Sequence, residues 1–309
     1  MAGRGVQGMT SAIRTEKLGK TYYSGFLRIP YVALQEVDLD VPEGSSFGFV
    51  GANGAGKTTT IKALMGLQRP TAGGAWIHGV SILDPAARAR VGFLPERPYF
   101  YEHLSAAEFL DFYARLTDVP ASERAPRITR LLERVDLLRF RDVPLGKFSK
   151  GMLQRAGLAQ ALIAEPDLLV LDEPMSGLDP IGRALVRDLI LQERKAGRTV
   201  FFSSHILADV EAICDHVAMV DRGRLVRQGR VSELLEGATL HVEVVVRRGD
   251  VVETRRVPPA ESDAAIDAAR RDGWTIVSMH SVTKSLEQVL LGDVDRSRPL
   301  ETKRLGVLA

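Results

Sequence analysis

Short apolar runs recur along the first three quarters of the chain, separated by glycines, turn residues and longer helical patterns. The runs lie at residues 47–50, 168–171, 199–202 and 217–220. Continuous apolar runs of this length are typical of strands that are buried on both faces of a parallel sheet. Segments with helical spacing alternate with these runs. One of them covers residues 58–67, and its helical pattern ends near Gly66. The alternation predicts an α/β fold with a mostly parallel sheet covered by helices on both faces.

Two other patterns differ from these runs. Apolar and polar residues alternate at residues 37–41, which predicts a single half-buried strand. Residues 104–140 have helical spacing instead, and Ser105 stands three residues before Glu108 at the start of the first helix. This spacing predicts a capping box, and the whole segment predicts a helical block inserted into the α/β fold.

The composition changes near Gly237. Strand-like runs follow at 240–246, 251–257 and 274–279, with helical patterns at 262–271 and 285–291. We therefore expect a flexible N-terminal tail at 1–12 and a main domain at 13–236, with the helical subdomain at about 97–160. A small α+β domain at 237–291 and a tail at 292–309 complete the expected organisation.

Composition and charge exclude several classes of function. The 309 residues include 41 Lys and Arg against 39 Asp and Glu, a net charge of +2, which is too balanced for a protein that coats nucleic acid. The sequence has one cysteine, Cys214, so no internal disulfide can form. No stretch approaches the ~20 apolar residues of a membrane span, and no His or Cys spacing predicts zinc. We expect no nucleic-acid partner.

A glycine-rich loop follows the first buried run. It reads G-A-N-G-A-G-K-T from Gly51 to Thr58, which fits the phosphate-loop pattern. Glycines let backbone N–H groups point at phosphates, Lys57 supplies a charge for the β- and γ-phosphates, and the Thr58 hydroxyl is a ligand for Mg²⁺. An ordinary glycine-rich turn is the alternative, and the strand before the loop and the helix after it argue against that alternative.

Two carboxylates end the run at 168–171. Asp172 and Glu173 would lie at the tip of a strand next to the phosphate loop, where one carboxylate can reach Mg²⁺ and the other can polarise a water molecule for attack on a γ-phosphate. We assign Asp172 to the metal and Glu173 to the water.

Three further segments make the pattern specific. F-S-K-G-M-L-Q-R occupies 148–155, S-G-L-D occupies 176–179, and S-S-H occupies 203–205. In this order, with the loop and the carboxylates, residues 12–236 resemble the ATP-binding subunit of an ATP-binding-cassette (ABC) transporter. The resemblance implies a phosphate-loop NTPase fold with an antiparallel β subdomain and an inserted helical subdomain. It also implies that two cassettes enclose two ATP molecules, and that ATP and Mg²⁺ are the ligands.

The resemblance assigns roles to individual residues. It implies that Glu173, His205 and Lys57 are catalytic and that Thr58, Asp172 and Glu96 hold Mg²⁺. The implied ATP contacts are Tyr22, Gly51, Asn53, Gly54, Ala55, Gly56, Lys57, Thr58, Thr59, Glu96, Ser149, Gly151 and Asp179. Among them, Tyr22 would stack on adenine, with Tyr23 as the alternative. Ser149 and Gly151 would close over ATP bound to the opposite subunit, and Asp179 would lie in the loop through which the two sites communicate.

The sequence departs from the usual family pattern at three places. Lys150 and Met152 stand where the signature segment usually has glycine and glutamine, Glu96 replaces a glutamine, and residues 24–31 lengthen the segment after Tyr22. The first two departures resemble the ABC-2 exporter branch, whose permease is a separate polypeptide. This branch implies a second cassette as partner, identical or paralogous, and a separate integral membrane permease. The chain would then lie at the cytoplasmic face of the membrane.

Two other function classes stay open on the sequence. A soluble ABC ATPase without a transport role usually has two fused cassettes, a long coiled coil or a dedicated soluble partner, and the first two are absent here. A non-hydrolytic nucleotide sensor is disfavoured because Lys57, Asp172, Glu173 and His205 are all present. The aromatic residues at 99–101 either dock a permease helix or pack the helical block onto the sheet, and the sequence favours neither.

Overall fold

The computed structural model describes residues 10–26, 28–236 and 239–292. The chain divides into two compact units, one reaching to Val231 and the other starting at Ser232, a few residues before the boundary expected from composition. Within the described residues, no helix is both long enough and apolar enough to cross a membrane.

The first unit combines eleven strands with six helices among its described residues. The strands are β1 (Ser11–Ser24), β2 (Ile29–Val37), β3 (Asp40–Pro42), β4 (Ser46–Val50), β5 (Ala72–Ile77), β6 (Val80–Ser81), β7 (Val91–Leu94), β8 (Leu168–Leu171), β9 (Thr199–Ser204), β10 (His216–Asp221) and β11 (Arg224–Arg230). The helices are α1 (Lys57–Leu64), α2 (Ala106–Leu116), α3 (Ala121–Arg134), α4 (Lys150–Leu162), α5 (Pro180–Lys195) and α6 (Leu207–Ile213).

A six-stranded sheet forms the centre of this unit, in the order β11-β10-β4-β9-β8-β7. All neighbouring pairs are parallel except β10 and β11. Every residue of β4 is buried, and the Phe47 and Phe49 rings lie 5.7 and 5.6 Å from the Phe201 ring. Because parallel strands share one carboxyl edge, the segments after β4, β8 and β9 meet at that edge.

A second, antiparallel sheet has the order β2-β1-β5-β6, with β3 also paired to β1. The prediction of one strand over 37–41 is wrong, because β2 ends at Val37 and β3 starts at Asp40. The buried Thr15 hydroxyl donates to the Val37 carbonyl oxygen and accepts from the Leu39 N–H. These two hydrogen bonds occupy the backbone between β2 and β3 and divide the apolar alternation into two strands.

The inserted helical block comprises α2, α3 and α4. The predicted capping box is confirmed: the Ser105 hydroxyl accepts from the Glu108 N–H, and the Glu108 carboxylate accepts from the Ser105 N–H. Arg134, the last residue of α3, is ion-paired to the buried Glu193 of α5. Arg198 pairs with the same carboxylate, so one buried acid connects the helical block to the α/β core.

The second unit contains α7 (Val231–Leu235, which begins at the boundary), β12 (Thr239–Arg248), β13 (Val251–Val257), α8 (Ser262–Arg271), β14 (Thr275–Thr283) and α9 (Leu286–Gly292). Its antiparallel sheet has the order β13-β12-β14. Val242, Val244 and Val246 form its core with Ala269 and Trp274. The strands and helices predicted for this segment are confirmed to within a few residues of their observed ends.

Residues 1–9 of the tail expected at 1–12 lie outside the described residues, and the end of that segment is not a tail. Ser11 and Ala12 belong to β1, where Ser11 pairs with Pro42 and Ala12 is fully buried. The expected tail at 292–309 lies outside the described residues except for Gly292, the last residue of α9.

Candidate nucleotide site

The glycine-rich loop joins β4 to α1 at the carboxyl edge of the central sheet. Gly54 and Gly56 have φ values of 81° and 114°, which side chains rarely adopt, and a Cβ at Gly56 would lie 2.8 Å from the Leu34 side chain. Lys57 is buried, and its Nζ donates to the carbonyl oxygens of Gly51, at 2.7 Å, and Ala52, at 3.3 Å. The lysine is therefore held against the loop that it follows.

Glu173 connects the loop to His205. One carboxylate oxygen, Oε1, lies 3.3 Å from Lys57 Nζ, and the other, Oε2, lies 2.8 Å from His205 Nδ1. A carboxylate can only accept, so Nδ1 is the donor in this hydrogen bond. Glu173 is buried and has a φ of 51°, an unusual backbone conformation for a glutamate. The three predicted catalytic residues thus form one contact cluster.

Asp172 lies beside this cluster and is also buried. Burial raises the pKa of its carboxyl above the ordinary value, while hydrogen bonds from Ser203 and Thr58 lower it and the neighbouring charges of Glu96 and Glu173 raise it further. A buried acid among other acids and a hydroxyl is the kind of oxygen donor set that suits a hard divalent cation.

These residues surround a cavity of about 360 Å³. Its lining comprises Tyr31, Ala33, Asn53, Gly54, Gly56, Lys57, Thr58, Thr59, Glu96, Glu173, Ser176 and His205. Seven of the predicted ATP contacts are in this set, together with the predicted base and the predicted histidine. Asp172 is adjacent through its hydrogen bond to Thr58.

Three cavity residues, Tyr31, Ala33 and Ser176, were not among the contacts predicted from the sequence. Tyr31 and Ala33 belong to β2, and Tyr31 is the cross-strand partner of Tyr22 in the β1–β2 hairpin. The Tyr22 hydroxyl is hydrogen-bonded to Gln68, and the side chain is not part of the cavity lining. The long segment at 24–31 was the available signal, because it returns the chain as a second strand beside Tyr22.

Other predicted contacts lie elsewhere in this chain. Gly51 and Ala55 form the inner side of the loop, where Gly51 accepts from Lys57 and Ala55 is buried. Ser149 and Asp179 are exposed caps at the starts of α4 and α5, which accept from the N–H groups of Met152 and Gly182. Gly151 follows in α4. The structure does not bring Ser149, Gly151 or Asp179 to the cavity of their own chain.

Comparison with known proteins places this geometry in a family. The ABC transporter family model matches residues 34–176, which include the loop, the strand β8 and both carboxylates. An uncharacterised ABC transporter ATP-binding protein of Nostoc is 46% identical over 75% of this chain and 71% of its own length. The chain belongs to the ABC transporter ATP-binding proteins.

Other members of the family include exporter subunits. The cassette is 34% identical to the Nod factor export ATP-binding protein I of Cupriavidus metallidurans, over 80% of both chains. It is 39% identical to the bacitracin transport ATP-binding protein BcrA of Bacillus licheniformis, over 71% of this chain and 70% of that one.

A solved ATP-binding subunit of an ABC transporter superposes with a TM-score of 0.66 at 29% identity and covers 74% of this chain and 93% of its own. The phosphate-loop ABC fold expected from the sequence is therefore confirmed. The cassette is an ATP-binding protein and an ATPase of this family.

Proposed function

We propose that the cassette is the ATP-hydrolysing subunit of an ABC exporter and drives a separate membrane permease from the cytoplasmic face of the membrane. The observation that carries this proposal is the contact of Glu173 with both Lys57 and His205 at the wall of the cavity. The exporter assignment is supported by its relatives, two of which carry the names of export or transport subunits.

ATP binds with its phosphates along the glycine-rich loop. The backbone N–H groups of the loop and the N-terminus of α1 face the phosphates, and Lys57 pairs with the β- and γ-phosphates. Thr58 and Thr59 lie at the start of α1 and line the same cavity. The adenine stacks on Tyr31, since Tyr31 lines the cavity whereas Tyr22 is hydrogen-bonded outside it.

Glu173 acts as the base in hydrolysis. It takes a proton from a water molecule while the water oxygen bonds to the γ-phosphorus, and the bond from that phosphorus to the bridging oxygen breaks to release ADP. His205 donates to the same carboxylate and fixes its orientation. ATP draws Lys57 away from Oε1 toward the phosphates, which leaves this oxygen to accept from water.

The donor set fits Mg²⁺. Thr58, Asp172 and Glu96 would supply its oxygen ligands, and the carboxylate of Asp172 is hydrogen-bonded to Ser203. No group of three His, Cys, Asp or Glu side chains among the described residues forms a metal site by itself. Mg²⁺ is usually held by one or two protein oxygens, water and substrate phosphates. When bound, Mg²⁺ neutralises charge that develops on the phosphates.

A second cassette completes each site. Ser149, Gly151 and Asp179 lie outside the cavity of their own chain, at or beside the starts of α4 and α5, where their backbone N–H groups can meet an anion on another molecule. Two copies placed head to tail would each lend these residues to the ATP of the other. The partner is an identical copy or a paralogue.

The test of hydrolysis is Glu173→Gln in the full chain. We expect this variant to bind ATP and dimerise with it, and to lose at least about a hundredfold in turnover, since the amide cannot take the proton. Glu165→Gln is the matched control, because Glu165 is a surface acid of the same unit that pairs only with arginines in the described chain. Turnover near the parent level in Glu173→Gln would refute the assignment of the base.

The exporter assignment has its own test. The tagged chain is purified gently from native membranes, and the proteins that accompany it are identified. A polytopic membrane protein is the expected partner. Soluble partners only, with the chain absent from the membrane fraction, would contradict the exporter assignment and favour a soluble ABC ATPase.

A further inference from the structure

Ser203 is a buried polar residue that is hydrogen-bonded to the carboxylate of Asp172 and to the backbone N–H of Glu173. It lies near the end of β9 and is fully buried. Its Oγ donates to Asp172 Oδ1 at 2.6 Å and accepts from the Glu173 N–H at 2.9 Å. Ser203 is absent from the cavity lining, so these contacts act from behind the site.

The sheet explains why one hydroxyl reaches two consecutive residues. Strands β8 and β9 are parallel and pair Leu171 with Phe202, so the residues that follow each of them lie side by side. The chain then turns at Glu173, which has a φ of 51° and whose N–H donates to Ser203 of β9. This left-handed conformation is unfavourable for a residue with a side chain, so neighbouring contacts must stabilise it.

The Ser203 hydroxyl can serve both groups, because it can donate to the Asp172 carboxylate and accept from the Glu173 N–H. A serine hydroxyl has one proton to donate and lone pairs to accept with. The hydroxyl donates its proton to the Asp172 carboxylate, which cannot donate. It accepts from the buried N–H of Glu173, which would otherwise lack this hydrogen bond. An alanine at this position would leave the N–H of Glu173 and one oxygen of Asp172 without this partner.

We propose that Ser203 is a positioning residue for ATP hydrolysis, which sets the backbone of Glu173 and the carboxylate of Asp172 in the orientation that the reaction needs. The proposal rests on the roles of Asp172 and Glu173 given above. It adds a residue that acts through these two acids without touching ATP. Small shifts of a catalytic group strongly reduce rates, so a positioning residue affects turnover more than ATP affinity.

The experiment compares Ser203→Ala with Ser204→Ala in the full chain. Ser204 is the next residue, is also buried, and accepts from the Ile206 N–H at 3.0 Å without contact to either carboxylate. We expect Ser203→Ala to lower kcat for ATP hydrolysis about ten- to a hundredfold with less than a threefold change in KM. Ser204→Ala should keep kcat within about threefold of the parent. Urea unfolding of each variant shows whether the two lose similar stability.

A double variant separates positioning from general damage. If Ser203 acts largely through Glu173, Ser203→Ala should lower the residual turnover of Glu173→Gln far less than it lowers that of the parent. Unchanged kcat in Ser203→Ala would overturn the proposal, as would equal losses of kcat in Ser203→Ala and Ser204→Ala or a full additive loss in the double variant. The assignment of the base fails separately, through normal turnover in Glu173→Gln alone.

Discussion

Glu193 connects the helical block to the α/β core, and its substitution by glutamine should destabilise the first unit markedly. Its side chain is 1% exposed, while those of its partners Arg134 and Arg198 are 27% and 24% exposed. Hydrogen bonds to charged groups contribute roughly 1.5–3 kcal/mol each. Glutamine keeps one acceptor, and the arginines regain some hydration, so we expect Glu193→Gln to lower the free energy of unfolding by about 3 kcal/mol.

Glu165 provides the matched control, because it also pairs with two arginines but is 45% exposed. Arg130 lies 2.8 Å from it and Arg127 lies 3.5 Å from it. Arg127 also keeps its bond to Glu123 when Glu165 is removed. The exposed Arg130–Glu165 pair contributes roughly 0–1 kcal/mol, and the Arg127 side chain, 12% exposed, keeps Glu123 as a partner, so Glu165→Gln should cost less than about 1 kcal/mol.

The assay is urea unfolding followed by tryptophan fluorescence in a Trp274→Phe background. The sequence has two tryptophans, so Trp76 of β5 then reports on the first unit alone. With a slope of about 3 kcal/mol per molar urea, Glu193→Gln should lower the midpoint by about 1 M and Glu165→Gln by less than about 0.3 M. Equal shifts in the two variants would refute the argument from burial.

Four further predictions follow from single contacts. Tyr31→Ala should weaken the binding of a fluorescent ATP analogue about tenfold and Tyr22→Ala less than about twofold; the reverse order would return the adenine to Tyr22. In the described part of the chain Lys150 forms no ion pair, and its ammonium lies against Gly177. Lys150→Gln should therefore raise the ATP concentration needed for dimerisation about tenfold, whereas Lys150→Arg should keep it near the parent value. Equal ATP concentrations for the two variants would exclude a role for this charge. Burial raises the pKa of the Cys214 thiol well above its ordinary value, so a disulfide reagent at pH 8 should label it only in urea; rapid labelling of the folded chain would contradict the buried position. Ser105→Ala should cost about 1 kcal/mol in urea unfolding through loss of the capping box, and no change would mean that the cap adds nothing to stability.

Local sequence predicted the strands that contain a continuous apolar run. β4, β8, β9 and β10 lie in the middle of the central sheet, where their apolar runs are buried on both faces. β1 was not predicted as a strand of 14 residues, since its pairing shifts register and Lys17 has a positive φ. These irregularities break the alternation by which a half-buried strand is recognised.

The residues of the site also differ in whether a local motif predicts them. Lys57, Glu173 and His205 follow strands in recognisable motifs, and the sequence was sufficient to predict that they belong together. Ser203 and Tyr31 reach the site through pairing between strands, β8 with β9 and β1 with β2. Such contacts depend on register between segments that are distant along the chain, and no local pattern in one sequence encodes that register.

The shared carboxylate of Glu173 has a consequence for how this protein can change over evolutionary time. Both of its oxygens are engaged, one by Lys57 and the other by His205, so replacement of either neighbour alters the surroundings of the other through the glutamate. The effects of substitutions at the three positions will therefore depend on one another. A change at His205 that is harmful in this background could be neutral in one where Glu173 has already been replaced. The order in which mutations arrive, and not only their identity, then decides which descendants of this sequence remain accessible.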